Sequence, residues 1–149
     1  MVVAVSSIPS QSPPPADHPW NDCSDAGLSA ANARFYQALE AGDLDVMIDV
    51  WSHEDTISCA HPGRPPLVGW PATAASWTAI FSGGGNPQVI VTEERLVRRG
   101  SIGWVTVTEN MISDGHTGAA SAINVFEHDG RTWRLVAHHA APVLGLNQT

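Results

Sequence analysis

The chain has 149 residues, seven basic against fifteen acidic side chains and a net charge of −8. That length holds one domain with a real core, and the acidic balance, with no basic run longer than Arg98-Arg99, argues against nucleic acid or anionic membrane as a partner. Two cysteines, Cys23 and Cys59, make neither a metal spacing nor a disulfide framework and read as reduced thiols of a cytoplasmic protein, while no apolar run approaches transmembrane length.

Five of the eleven prolines fall within the first nineteen residues, mixed with Ser, Gln and Asp. Residues 1–26 therefore read as a tail without its own core, and 27–149 as the domain. The opening MVVAVSSIPS has no positive residue ahead of its apolar stretch, a poor match to a secretory leader. From Gly27, apolar positions Leu28, Ala31, Phe35 and Leu39 recur at helical spacing until Gly42 stops them. Asp43 then caps a second helix with Leu44, Met47, Ile48 and Trp51 on one stripe. DTISCAH reads as a strand and HPGRPPLVG as a loop, because its prolines forbid a helix. A third helix over 71–81 carries Ala74, Trp77 and Phe81. Four strands follow at 88–98, 101–113, 118–128 and 131–141, joined by turns rich in Gly, Asp and Ser. The order predicts an α+β fold with three helices on one face of a curved, mainly antiparallel sheet.

Strand phase decides which side chains face those helices. A two-residue loop at Asp129-Gly130 pairs Phe126 with Trp133 and Asn124 with Leu135, and a turn over 114–117 sets Glu109 opposite Ala122. One face then carries Val105, Val107, Glu109, Met111, Ala120, Ala122, Asn124, Phe126, Trp133, Leu135, Ala137 and His139. Its polar members lie among alanines, the pattern of a pocket floor. Of the two adjacent histidines, His139 is thus expected inward and His138 outward; an odd-length turn reverses this. A buried Glu109 and His139 should pair, since an isolated ion in the interior costs several kcal/mol. Trp51, Trp70 and Trp77 supply apolar area for a hydrophobic ligand. His61, Glu109 and His139 have the ligand types of a zinc or iron site, but no close spacing supports one, and no metal is expected. The glycines at 83–85 lack the Lys and helix start of a phosphate loop.

The stretches ARFYQALEAGDLD, VWSHEDTISCAHPG, LVGW and INVFEHDGRTWRLVAHH resemble the NTF2-like superfamily, closest to its SnoaL-like and ketosteroid-isomerase-like members, over about residues 27–143. The resemblance implies a cone-shaped α+β barrel, usually dimeric, with a pocket between helices and concave sheet; no cofactor is expected. Position by position, His61-Pro62 matches the dipeptide whose aspartate shuttles the proton in ketosteroid isomerases, and an imidazole with a solution pKa of about 6.5 is a competent base. Asn124 matches the late-strand aspartate that donates to the oxyanion. Phe35 matches the isomerase tyrosine but has no donor, and Tyr36 next door points about 100° away on a helix. SnoaL-like cyclases imply an Asp/His pair, parts that Glu109 and His139 fit.

Two functions remain in view. The first is a cofactor-independent acid/base enzyme that isomerises, cyclises or opens an epoxide on a small, mostly apolar carbonyl or polycyclic compound. His61, Asn124, Glu109 and His139 would be its catalytic residues, with Phe35, Trp51, Trp70, Trp77 and Phe126 lining the substrate. The second is a non-catalytic ligand-binding or dimerisation module, favoured by the missing hydroxyl at Phe35.

Overall fold

The computed structural model describes residues 17–84 and 87–144. Helix α1 (Asp25–Ala41) starts where Ser24 Oγ accepts the Gly27 N–H and ends at Gly42, whose left-handed φ of 63° a side chain would resist. Helix α2 (Leu44–Val50) is capped by Asp43, which accepts from Val46 N–H. Strands β1 (Ser58–Ala60) and β2 (Leu67–Val68) flank the proline-rich loop, and α3 (Trp70–Ser82) follows with Pro71 in its first turn. Then come β3 (Gln88–Arg99), β4 (Ile102–Ser113), β5 (His116–His128) and β6 (Trp133–Pro142). The six strands form one open sheet in the order β2-β1-β6-β5-β4-β3, antiparallel except where β1 runs parallel to β6. This is the expected α+β arrangement, with one added element: β2 lies in the stretch read as a loop, where Leu67 and Val68 follow the prolines and pair with β1.

The core lies between the helices and the concave face, centred on Leu28, Phe35, Met47, Trp51, Ile57, Val105, Phe126 and Leu135, all fully buried. Leu28 packs so closely on β4 that a Cβ on Gly103 would fall 2.3 Å from its Cδ2, which explains a glycine in the middle of that strand. Arg34 and Arg134 both pair with Asp49, at 2.9 and 3.1 Å, so one carboxylate ties α1 and β6 to α2. Residues 1–16 of the expected tail lie outside the described residues. Residues 17–24 pack on the domain through a 3-10 turn at Pro19–Asn21. There Trp133 Nε1–H donates to Asp22 O (2.7 Å), and Arg34 lies over the Trp20 ring. No described helix is long and apolar enough to cross a membrane.

Both hairpin registers differ from expectation, each by two residues. Asp114 and Gly115, with φ of 50° and 77°, make a two-residue turn that pairs Ser113 with His116. The next connection is a four-residue loop in which Asp129 Oδ1 accepts from Arg131 and Thr132 N–H, pairing His128 with Trp133. An even slip preserves face, so Glu109, Ala120, Ala122, Asn124, Phe126, Trp133 and Leu135 are all buried, as the alternation required. Phase is lost only at Val136. Phe126 pairs with Leu135 and Val125 with Ala137, leaving Val136 as an unpaired extra residue. This β-bulge turns the rest of β6 over. The inward histidine is therefore His138, opposite Asn124, and His139 faces away, which corrects the expected assignment.

Candidate functional site

Four elements bring polar side chains into an otherwise apolar interior. On α1, Asn32 and Tyr36 follow Leu28 at four-residue steps and so share its buried face. On β4 and β5, Glu109 and Asn124 point at the same face, and β6 contributes His138 after its bulge. Their hydrogen bonds run in one direction. Asn124 donates both amide hydrogens, to Asn32 Oδ1 (2.9 Å) and to Tyr36 Oη (3.0 Å). Tyr36 donates its hydroxyl hydrogen to Glu109 Oε2 (2.7 Å), and Asn32 donates to Glu94 Oε2 (3.0 Å). With its nitrogen committed, Asn124 presents only its carbonyl oxygen to the His138 ring. His138 Nδ1 must therefore carry the hydrogen, which leaves Nε2 as the ring's acceptor nitrogen.

Burial sets the charge states. It pushes the Glu109 carboxyl above its ordinary range, against the Tyr36 bond that favours the carboxylate. Burial first, then the Glu109 charge, keeps the Tyr36 phenol protonated. Burial, with lesser repulsion from His61 and His139, lowers His138 to about 3. His138 is thus neutral at pH 7 and a weak base.

His61 is built differently. His61-Pro62-Gly63-Arg64 is a tight turn: proline presets the backbone of its second position, Gly63 adopts φ 77° at the third, and Arg64 N–H closes on His61 O at 3.0 Å. The Ser76 hydroxyl is spent on Thr73 O (2.7 Å), so it accepts from His61 Nε2–H (3.0 Å). Among the described residues, Nδ1 has no hydrogen-bond partner. Trp77 stands edge-on to the ring at 4.8 Å. Burial lowers the His61 pKa, and the Arg64 charge lowers it further. The ring forms part of the wall of a cleft of about 370 Å³, shared with Arg64, Pro65, Pro66, Leu67, Ser76, Ala79 and Ile80.

The expected site residues thus separate into groups. His61 opens on the cleft, with Trp77 and Phe35 behind it; Phe35 also packs on His138, ring centres 4.9 Å apart. Asn124 and Glu109 share the buried network, joined through Tyr36. His139 bonds Ser58 Oγ at 2.7 Å and lies beside Thr106, Ser121 and Ile123 on the convex side, so it does not meet Glu109. Trp51 and Phe126 are fully buried core, and Trp70 stacks on His53 (4.1 Å). Among the described residues no cluster of three His, Cys, Asp or Glu is placed to hold a metal ion. Reasoning from sequence missed Tyr36, whose ring sits edge-on to Phe35 and still reaches the interior. It also missed Asn32, although a polar residue one turn from Leu28 on an apolar stripe was a visible signal.

A profile of the SnoaL-like domain matches residues 28–144, and the chain belongs to that family, within the NTF2-like superfamily. It is similar to a provisionally named calcium/calmodulin-dependent protein kinase type II association domain from Thiobacillus denitrificans, with 36% identity and a TM-score of 0.71 over 77% of this chain and 94% of that one. It is also similar to a provisionally named dehydratase of the NTF2-like family from Streptomyces avermitilis, with 32% identity and a TM-score of 0.75 over 79% and 94%. A curated relative, the F-box protein SKIP8 of Arabidopsis thaliana, is 29% identical over 120 residues, 78% of this chain; the chain spans about half of that protein's length (50%).

Proposed function

We propose that this protein is a proton-transfer catalyst acting at the His61 cleft on a small, mostly apolar carbonyl compound. The carrying observation is the state of His61: Nε2–H anchored on Ser76, Nδ1 unengaged, and burial holding the ring neutral at pH 7. In this reading Nδ1 takes a proton from carbon, the C–H electron pair passes into the carbonyl as an enolate, and the proton returns to the same or a neighbouring atom. The bond to Ser76 orients the ring and supports the imidazolium. Asn124 acts as a positioning residue rather than an oxyanion donor, because both its amide hydrogens are engaged. With Tyr36 and Glu109 it fixes the tautomer of His138.

The test is solvent deuterium incorporation next to the carbonyl of cyclic enones and β-diketones, followed by proton NMR. The wild type should exceed matched buffer, and His61→Gln, checked for folding by circular dichroism, should lower the excess on the order of a hundredfold. Equal exchange in the variant, or none above buffer for any probe, contradicts the reading.

A second reading is an association module. Ile90, Ile112 and Ile123 are more than a third exposed, and one of the similar structures is named as an association domain. In this reading two copies of the chain pair through the convex sheet face, and the wild type shows no exchange.

A further inference from the structure

We infer that the His61 cleft selects small apolar molecules bearing a carboxylate, which Arg64 receives at the end of the same turn that carries His61. The inference rests on the reading of that cleft as a ligand site and adds the chemistry of the ligand. Three observations carry it.

The first is the composition of the wall. The chain holds fifteen acidic residues, yet none lines this cleft, whose surface is Pro65, Pro66, Leu67, Ala79 and Ile80 around the polar groups of His61, Ser76 and Arg64. The comparable cleft between α1 and β3, about 340 Å³, carries Glu40 and Glu94 instead. In a chain of net charge −8, a cleft free of carboxylates and furnished with a guanidinium is locally suited to an anion.

The second is the state of Arg64. Arg34, Arg98 and Arg134 are each held by a carboxylate, at distances of 2.9 to 3.5 Å. Arg64, like Arg95, Arg99 and Arg131, pairs with no carboxylate among the described residues; what sets it apart is its place in the cleft wall, where the turn brings it close enough to His61 for its charge to act on the imidazole. Its planar fork matches a carboxylate with two parallel hydrogen bonds.

The third is size. A volume of about 370 Å³ lies near the lower end of the roughly 300–1,000 Å³ of small-molecule sites. One ring or a short branched chain can lie on the apolar wall while the acid group reaches Arg64. The rigid Pro65-Pro66 pair keeps the wall in place without the ligand.

The experiment compares phenylacetate and cyclohexanecarboxylate with their primary amides, which keep shape and lose charge. Binding is followed by titration calorimetry and by NMR of wild type, Arg64→Gln, Arg64→Lys and, as a control on the β5–β6 turn, Arg131→Gln. The acids should bind more tightly than the amides and shift the signals of Ile80, Ala79 and His61. Arg64→Gln should weaken the acids roughly five- to tenfold and leave the amides unchanged. Arg64→Lys should retain part of the preference, and Arg131→Gln all of it. Acids binding no better than amides, an unchanged Arg64→Gln, or shifts confined to residues outside the cleft would overturn the inference. The two readings fail separately. Lost acid preference with deuterium exchange intact removes only the ligand class, and acid binding without exchange on any ketone removes only the proton transfer.

Discussion

Tyr36 does two jobs with one hydroxyl: it donates to a buried carboxyl and accepts from a buried amide. Removing it leaves Glu109 without its donor and one Asn124 hydrogen without an acceptor, both in buried side chains. Tyr36→Phe should therefore destabilise the fold by about 1–3 kcal/mol, far more than the change in apolar area implies, as measured by urea unfolding. An unchanged midpoint would mean that the network contributes nothing net. The two histidines differ for equally local reasons. His138 is enclosed by Phe35, Trp77 and Asn124, whereas His61 shares a wall with solvent, so burial lowers the former much further. At this scale the sequence was partly legible. His61, Glu109 and Asn124 stood out as polar groups in apolar or turn settings. Tyr36 did not, because spacing alone places it off the axis of Phe35, and the length of a phenol that lets it reach inward is a property of packing.

At the scale of elements, turn chemistry decides more than propensity does. Two hairpin lengths were exchanged in the reading from sequence, yet each error was even, and every inward residue from Val105 to Leu135 kept its face. The bulge at Val136 has no composition signal, since valine is a favourable residue in a regular strand. It shows only in the register of β6 against β5. The same limit applies to residues 17–24, which read as tail by their prolines and acids but are held by Trp133 and Arg34. That docking makes a firm demand on α1: a Cβ at Gly27 would lie 1.9 Å from Asp22 O. Gly27→Ala should force the segment off, break the Trp133 bond and cost about 1–3 kcal/mol in thermal or urea unfolding. An alanine variant with wild-type stability and an unchanged Trp133 indole signal would show that the segment is not bound in this way.

The whole molecule is a helical layer on a curved sheet, with one edge made by β1, β2 and the proline turn. That edge matters because the turn at His61 opens beside α3, while the continuous β3–β6 meander keeps Glu109, Asn124 and His138 sealed beneath α1. The fold class was readable from element order, and so was the coarse position of His61 after the first strand. What the order could not show is that the acid, the amide and the inward imidazole form a closed support rather than an open floor, because each donor's direction depends on all its neighbours at once. The consequence is a contrast between a sealed histidine that stays neutral and a bordering histidine open to a cleft, the one to which the proposed function gives the proton transfer. Since the unfolded chain holds its histidine proton more tightly than the folded site does, the His138 contribution to stability is full above about pH 6.5 and is lost on acidification toward its folded value.

The most direct test is a nitrogen-15 NMR titration of the imidazoles from pH 8 to the acid limit of the fold, with and without cyclohexanecarboxylate. The account predicts that His138 stays a neutral Nδ1–H tautomer well below the ordinary histidine range, and that His61 titrates below that range as an Nε2–H tautomer and responds to the added acid. A His138 that protonates near pH 6.5, or a His61 indifferent to the acid while His139 responds, would contradict it.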